Sequence, residues 1–200
     1  MDAVHLAAIP VPLQWDIPPL GYHVEQERAV SITAGSRTDL FRSPAGDTVV
    51  QNSPRLLFVP EGDFALSARV RVNFRNTFDA GVLVIYEHET SWAKLCFEFS
   101  PQRQPMIVSV VTRGLSDDCN SVPINGNEVY LRIARIGSAF AFHYSTDGKL
   151  WHMVRHFTLD KPDRIHAGFS AQSPRGESCS AAFSSITYSH TPPADIRSGE

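Results

Sequence analysis

DAGVLVIYEHETSWAKLCFEF, residues 79–99, predicts a β-hairpin with strands at 80–87 and 92–99. The first strand is apolar at nearly every position, which is typical of a strand that is covered on both faces. The second strand alternates, and because strand side chains repeat with a period of two, its residues divide between two faces of a sheet. The face predicted to join the core carries Ala93, Leu95, Phe97 and Phe99. The opposite face carries Trp92, Lys94, Cys96 and Glu98, and we expect function there.

The rest of the chain continues the strand pattern. Residues 64–74 alternate without a break, which is the strongest strand signal in the sequence. Further strands are predicted at 28–34, 48–51, 56–59, 105–113, 128–136, 139–145, 150–158, 165–171 and 181–188. Residues 116–120 are predicted to form a polar loop, and the four prolines within 10–21 exclude a helix or a central strand there. About a dozen strands at this spacing predict an all-β, antiparallel two-sheet sandwich.

Length and composition predict one domain. We place the sandwich at residues 14–190 and expect irregular tails at 1–13 and 191–200. The chain has 200 residues of which 42% are hydrophobic, which is ample for a single core. Its net charge is −3 without a cluster of Lys or Arg, so neither nucleic acid nor a membrane is an expected partner. The first residues lack a basic stretch and are interrupted by Pro10 and Pro12, so we expect neither a signal peptide nor a membrane span.

The cysteines indicate a reducing environment. Cys96, Cys119 and Cys179 are odd in number and far apart, and no CxxC pair is present. We therefore expect three free thiols and a cytoplasmic location. Cys96 is interpreted as a small buried residue and not as a nucleophile.

Several motifs occur in an order that resembles a known family. They are Thr38-Asp39-x-Phe41-Arg42, Asp79-Ala80-Gly81-Val82-x-Val84, Trp92-x-Lys94-x-x-x-Glu98, Ser109-Val110-Val111-Thr112-Arg113, Ser116-Asp117 and Tyr144-Ser145-x-Asp147-Gly148-x-x-Trp151. Across residues 15–188 the chain is similar to the domain family named for the regulation of enolase, whose biochemical role is largely unassigned. That family implies a jelly roll of the concanavalin A-like lectin and glucanase superfamily. The family usually has Trp where this chain has Phe41, and an aromatic residue where this chain has Asp118, and both departures weaken the case for an aromatic platform for a sugar ring.

The superfamily raises the question of a glycosidase. Glycoside hydrolysis normally needs two carboxyl groups, about 5–5.5 Å apart for retention or ~6.5–9.5 Å apart for inversion. The central strand supplies only Glu98, with Cys96 and Lys94 at the two preceding positions of the same face. A second acid would have to come from another strand, and the sequence offers Asp39, Asp79 or Asp117. We therefore expect a protein that is not an enzyme, with a glycoside hydrolase as the less favoured alternative.

No cofactor or metal is predicted. The eight histidines are scattered without the spacing of a metal site, and no phosphate-binding glycine loop or nucleophile elbow is present. Asp117 and Asp118 carry oxygen ligands that Ca²⁺ accepts, but the loop lacks the spaced acids of a calcium site. A pair of Asp residues that caps a turn is the favoured interpretation.

Two functions remain open on this evidence. The first is a module that binds a carbohydrate or another polar small molecule, with Trp92 stacked on the ligand and polar side chains donating directional hydrogen bonds. The second is a protein-interaction or regulatory module of metabolism, in which the same residues form an internal network. Lys94 and Glu98 lie four residues apart on a strand, roughly 13 Å, so they cannot pair with one another and each needs a different partner. The candidate ligand-binding residues are Asp39, Phe41, Arg42, Asp79, Trp92, Lys94, Glu98, Thr112, Arg113, Ser116 and Asp117.

Overall fold

The computed structural model describes residues 2–162 and 164–200, and within them the protein is all-β. Sixteen strands are present over this part of the chain. Their bounds are β1 Gln14–Ile17, β2 Gly21–Glu25, β3 Ala29–Gly35, β4 Leu40–Arg42, β5 Val49–Gln51, β6 Arg55–Phe58, β7 Phe64–Val72, β8 Ala80–His88, β9 Ser91–Phe99, β10 Pro105–Arg113, β11 Leu115–Pro123, β12 Glu128–Ile136, β13 Ala139–Ser145, β14 His152–Phe157, β15 His166–Gln172 and β16 Ser178–Ser189. Nowhere in these residues does a helix long and apolar enough to cross a membrane occur.

The strands form two antiparallel sheets that pack face to face. Within the described residues each sheet has seven strands. The front sheet has the order β1-β6-β15-β8-β9-β10-β11, and the back sheet has the order β14-β13-β12-β7-β16-β3-β2. Strands β4 and β5 pair only with each other and form a separate hairpin, here called the cap hairpin. The predicted two-sheet sandwich is therefore confirmed.

The strands that the sequence did not predict are short or lie at an edge. They are β1, β2, β4 and β11. The loop predicted at 116–120 is wrong, since these residues lie in β11, which pairs with β10 from Arg113↔Leu115 to Met106↔Pro123. The reason is that β11 is the last strand of the front sheet and seven of its nine residues are exposed. An edge strand with solvent on one side can carry polar residues throughout.

The core lies between the two sheets. Large apolar side chains from both sheets are fully buried there and belong to one contiguous cluster, among them Phe64, Leu66, Val70, Val72, Leu95, Phe97, Phe140, Phe142 and Phe169. The predicted division of the central strand also holds, because Ala93, Leu95 and Phe97 face this cluster while Trp92 and Cys96 do not. Burial of these side chains from both sheets provides the main stabilisation of the sandwich.

A second apolar cluster lies on the outer face of the front sheet, and we call it the outer cluster. It contains Leu40, Leu57, Ala80, Val82, Val84, Trp92, Cys96, Val108 and Val110. Leu40 comes from the cap hairpin, which lies over this face. Arg42 joins the hairpin to the β10–β11 edge of the sheet. Its backbone N–H donates to Ser116 Oγ at 3.0 Å, and its Nε donates to the Gly114 carbonyl at 2.7 Å. The central hairpin is therefore covered on both faces, as its apolar first strand predicted.

Both ends of the chain pack against the sandwich. At the N-terminal end, Val4 pairs with Leu13 in an isolated antiparallel bridge, and Leu6 and Ile9 are buried in the core. At the C-terminal end, His143 Nε2 lies 2.7 Å from the Ile196 carbonyl. The composition of residues 191–200 predicted a frayed segment, but these contacts dock it on the back sheet.

Phe97→Ala tests the core. The ring is fully buried between the sheets, so its removal should leave a cavity and lower the free energy of unfolding by about 3–5 kcal/mol. Leu150→Ala is the matched control because Leu150 is 60% exposed, and its effect should stay within about 0.5 kcal/mol. Denaturant unfolding of both variants gives the comparison, and equal effects would contradict the assignment of Phe97 to the core.

The three cysteines give a second test. All are free in the structure; Cys96 and Cys179 are buried and Cys119 is exposed. Burial raises the pKa of the Cys179 thiol to about 12 and holds the pKa of the Cys96 thiol well above its usual range. Because the thiolate is the reactive form, one thiol should react rapidly in the native protein and all three after unfolding in the absence of reductant. A single reactive thiol after unfolding would reveal a disulfide and contradict the prediction.

Candidate ligand-binding cavity

An open cavity of about 570 Å³ lies between the cap hairpin and the outer face of the front sheet. Its floor is formed by outward-facing residues of β9, β10 and β11, represented by Lys94, Val110 and Asp118. These three residues are neighbours because the strand register pairs Lys94 with Val110 and Val110 with Asp118. One wall comes from Phe41 and Val50 of the cap hairpin.

The rest of the rim comes from two turns. Phe78 lies in the turn before β8, and residues 174 and 175 follow β15. Gln172, the last residue of β15, reaches the floor because the register places it opposite Ala80, which in turn lies opposite Glu98. Three adjacent strands of the front sheet therefore bring Gln172 and Glu98 onto the same face.

The side chain of Lys94 is the best connected polar group of the floor. It is 3% exposed, and its Nζ donates to Asp39 Oδ1 at 2.9 Å and to Gln172 Oε1 at 2.9 Å. The same Asp39 oxygen accepts a hydrogen bond from the Leu40 N–H at 2.7 Å, which fixes the carboxylate at the start of the cap hairpin. A buried ammonium without such partners would be strongly destabilising. The pair thus ties the cap hairpin to the central strand.

Gln172 links Lys94 to Glu98. Its Oε1 accepts from Lys94, while its Nε2 donates to the Phe78 carbonyl at 3.2 Å and to Glu98 Oε2 at 3.4 Å. Lys94 and Glu98 make no direct contact, as their spacing along the strand predicted. The result is a chain of polar contacts that runs Asp39, Lys94, Gln172, Glu98 across the floor.

The surroundings raise the pKa values of three groups on the floor, Glu98, Asp118 and Lys94. Burial raises the pKa of Glu98 to about 8, an effect that the nearby Lys94 ammonium only partly offsets. Burial also raises the pKa of Asp118, again against Lys94. For Lys94 itself burial lowers the pKa, but the Asp39 carboxylate and the other acids outweigh it, so the net shift is upward. At neutral pH the floor therefore holds a charged Lys94 and a largely protonated Glu98.

Four of the predicted candidates lie on the cavity, namely Asp39, Phe41, Lys94 and Glu98. Trp92 requires a correction. We expected its ring to stack on a ligand, but it is fully buried in the outer cluster and is not part of the cavity surface. The reason is that the cap hairpin covers this end of the strand. Phe41 and Phe78 are the aromatic rings that the cavity offers instead.

Other candidates hold the site together from outside the cavity. Thr112 and Ser116 are both buried and hydrogen-bonded to each other at 2.9 Å, and Ser116 also accepts from the Arg42 N–H. Asp79 is fully buried, and its Oδ2 accepts backbone N–H groups of the preceding turn. Arg113 is exposed at the end of β10 and does not line the cavity. Thr112, Ser116 and Asp79 therefore position the walls, whereas Arg113 has no part in them, and none of the four lines the cavity.

Asp117 also requires a correction. We expected Asp117 to face a ligand, but the residue of β11 that faces the cavity is its neighbour Asp118, which lies opposite Val110. Asp117 lies on the other face, where its Oδ1 accepts from Arg155 Nη2 at 3.0 Å. Neighbouring residues of a strand point to opposite faces, so a correct assignment depends on the register with β10.

The sequence also missed several cavity residues. They are Arg37, Phe78, Asp118, Asn120, Gln172 and Arg175. Arg37 directly precedes the Thr38-Asp39 motif, and this adjacency was a signal that could have found it. Gln172 carries no local signal, since it ends an otherwise small and apolar strand. Over the described part of the chain, no three His, Cys, Asp or Glu side chains are grouped as metal ligands.

The fold and the cavity define the class of the protein. It is an antiparallel two-sheet β-sandwich protein with a polar cavity on the outer face of one sheet. The chain belongs to the family described as "Protein of unknown function (DUF1349)", whose model matches residues 15–191. No curated protein matches the sequence.

Three solved structures illustrate the fold. A protein of unknown function from Saccharomyces cerevisiae has a TM-score of 0.81 and 22% identity, over 88% of this chain and 95% of its own. A GH43 glycoside hydrolase engineered to display both endo-xylanase and exo-arabinofuranosidase activity has a TM-score of 0.66 and 12% identity, over 94% of this chain and 40% of its own. The GH43 BlXynB protein from Bacillus licheniformis has a TM-score of 0.63 and 16% identity, over 82% and 33%. The chain thus spans well under half of the two GH43 proteins, and the likeness concerns the fold alone.

The raised pKa of Glu98 predicts a pH dependence of stability. In the unfolded chain the carboxyl ionises near its ordinary value of 4.5, whereas in the folded protein it keeps its proton to about pH 8. Between these values the folded state binds the additional proton, so the free energy of unfolding should fall as pH rises, by up to about 1.4 kcal/mol per pH unit.

Glu98→Gln removes this titrating group while keeping the shape of the side chain. The free energy of unfolding of the variant should therefore depend less on pH between pH 5 and 8. Denaturant unfolding across this range measures the slope. Glu25→Gln is the control, because Glu25 is exposed on β2, and its profile should match the parent. Identical slopes for the parent and Glu98→Gln would show that Glu98 does not titrate in this manner.

Proposed function

We propose that the protein is a non-catalytic concanavalin A-like module that binds a carbohydrate or a related polar small molecule in the cavity under the cap hairpin. The observation that carries the proposal is the chain of polar contacts from Asp39 through Lys94 and Gln172 to Glu98, placed on the floor of an open cavity of about 570 Å³. Cavities of 300–1,000 Å³ with a few convergent polar groups are typical of small-molecule sites.

The floor retains hydrogen-bonding capacity for a ligand. An ammonium has three donors, and Lys94 uses two of them on Asp39 and Gln172. Glu98 uses only Oε2 within the described residues, which leaves the other oxygen to a ligand. When protonated, this carboxyl can both donate and accept. A hydroxyl group, which also donates and accepts, matches both residues, and an array of hydroxyls is the property that sugars and other polyols share.

Apolar surface beside the polar floor supports the same class of ligand. Phe41 and Val50 form one wall, and Phe78 lies on the rim. Sugar rings carry apolar C–H faces together with hydroxyl edges, so they suit a site in which aromatic rings lie beside buried polar groups. The GH43 neighbours supply a further argument, since their names assign them to glycoside hydrolases and the fold thus occurs in proteins that act on carbohydrates.

One observation favours a glycoside hydrolase as a second candidate. Asp39, Glu98 and Asp118 all line the cavity, and the raised pKa of Glu98 would suit a general acid. Against this, Asp39 is engaged by Lys94, and burial raises the pKa of Asp118 as well, so neither is arranged as a free carboxylate partner. The binding module therefore remains the proposal. A regulatory role, including the regulation of enolase in the cytoplasm, rests on the family resemblance and the free cysteines.

A glycan and metabolite screen by thermal shift tests the proposal. A specific ligand should raise the melting temperature in a concentration-dependent manner. Phe41→Ala should then weaken binding of that ligand about tenfold or more, roughly 1.4 kcal/mol, because it removes apolar contact at the wall. Arg113→Gln is the control, since this exposed residue lies outside the cavity, and it should leave the affinity unchanged.

Two outcomes would contradict the binding module. If a broad screen finds no ligand, the polar floor is structural. If a glycoside substrate is hydrolysed and Glu98→Gln abolishes the reaction without loss of folding, the protein is a hydrolase.

A further inference from the structure

We infer that the ligand of the cavity is a polyol that carries an anionic group, a carboxylate or a phosphate, and that Arg37 and Arg175 bind this group at the rim. The inference rests on the proposed function, because it specifies the ligand class of the same cavity. It comes from two arginines that the fold places on the same cavity without a carboxylate partner among the described residues.

The backbone brings the two arginines to the same part of the rim. An isolated antiparallel bridge joins Thr38 to Ser173. Arg37 immediately precedes the first of these residues, and Arg175 follows the second by two positions. The Thr38 N–H donates to the Ser173 carbonyl at 3.3 Å, and the Ser173 N–H donates to Thr38 Oγ1 at 3.0 Å. Both arginines line the same cavity.

Buried polar contacts fix this part of the rim. Ser173 Oγ donates to Asp79 Oδ1 at 2.8 Å, and Asp79 Oδ2 accepts from the N–H groups of Arg75 at 3.0 Å and Asn76 at 2.8 Å. Asp79 thus connects the turn that carries Phe78 to the segment that carries Arg175. These contacts hold in place the backbone segments that carry the two arginines.

Two rim residues have a backbone conformation that L-residues rarely adopt. Arg37 has a φ of 56° and Phe78 a φ of 71°, both in the left-handed region. This conformation is unusual for a bulky residue such as Phe and persists only where the surrounding structure imposes it. Strained backbone of this kind concentrates at ligand sites. Here both strained residues, Arg37 and Phe78, line the cavity.

Neither rim arginine is paired with a carboxylate of the described residues, although carboxylates hold several other arginines of the protein. Arg55, Arg71 and Arg155 each contact a carboxylate within 4.0 Å. In the part of the chain that the structure describes, Arg37 and Arg175 have no such contact. The cavity acid Asp39 is paired with Lys94, and burial raises the pKa of Asp118, which lowers its tendency to carry a negative charge. An anionic group of a ligand would therefore supply the negative charge that the rim arginines lack.

The geometry of the ligand follows from the positions of these groups. Arginine binds carboxylates and phosphates through paired N–H groups, so the anionic group lies at the rim. The floor, with Lys94, Glu98 and Asn120, then receives the uncharged part of the molecule through its hydroxyl groups. A simple anion would leave the floor unused, and a neutral sugar would leave the rim charges unpaired. An acidic sugar or a sugar phosphate satisfies both.

Isothermal titration with matched probes tests the inference. The probes are glucose and galactose, the corresponding glucuronate and galacturonate, glucose 6-phosphate, and inorganic phosphate alone. At least one anionic sugar should bind tenfold or more tightly than its neutral counterpart, and this preference should shrink as NaCl is raised. Arg37→Gln and Arg175→Gln should each remove most of the preference while leaving the melting temperature nearly unchanged, because both side chains are exposed.

Arg75→Gln is the matched control. Arg75 is an exposed arginine close in space that lines a neighbouring cavity and not this one, so its variant should keep the full preference. Comparison of the uronates with glucose 6-phosphate decides between carboxylate and phosphate as the anionic group.

Three results would overturn the inference. Equal affinity for neutral and anionic sugars would refute the role of the arginines while the proposed function stands. Inorganic phosphate that binds as tightly as glucose 6-phosphate would refute the polyol. If none of these probes binds and the broad screen identifies a neutral ligand, the inference of an anionic ligand is refuted while the proposed function stands. A broad screen that finds no ligand refutes both the inference and the proposed function.

Discussion

The contact between Lys94 and Asp39 is the interaction on which the site depends. Lys94 lies in the middle of the outer cluster, where an unpaired ammonium would be strongly destabilising, and Asp39 reaches it from a segment 55 residues earlier in the chain. Because Asp39 directly precedes β4, the pair holds the start of the cap hairpin against the front sheet. The hairpin in turn buries Trp92 and forms a wall of the cavity. The cavity therefore exists because a charged residue of the central strand needs a partner.

The strands that could be predicted are those whose faces differ chemically. Residues 64–72 and 91–99 alternate because one side faces the core, and that contrast is visible in the sequence alone. Strand β11 shows no such contrast, since it lies at the edge of its sheet and seven of its nine residues are exposed. Its existence depends on backbone hydrogen bonds with β10, which leave no trace in residue type. The cap hairpin escaped full prediction for a related reason, because three-residue strands are too short to show a period.

The candidate site was predictable only as far as local patterns reach. Alternation placed Lys94 and Glu98 on one outward face, and the family motif directed attention to Asp39. Gln172 contacts Glu98 across 74 residues of sequence, and only the strand order β15-β8-β9 makes them neighbours. The confusion of Asp117 with Asp118 has a different origin. Which of two adjacent residues faces the cavity depends on the register of β11, and a shift by one residue exchanges the faces.

We propose binding in preference to hydrolysis because of the protonation of the cavity residues, although the fold also occurs in GH43 proteins. Acid and base roles require two carboxyl groups whose surroundings move their pKa values apart. Here burial raises the pKa of both Glu98 and Asp118, and Asp39 is neutralised by contact with Lys94. The same front sheet therefore presents hydrogen-bonding groups without a paired acid and base. On the floor the charge of Lys94 is paired with Asp39, whereas Arg37 and Arg175 at the rim have no carboxylate partner among the described residues. Both features support the proposal of a binding site.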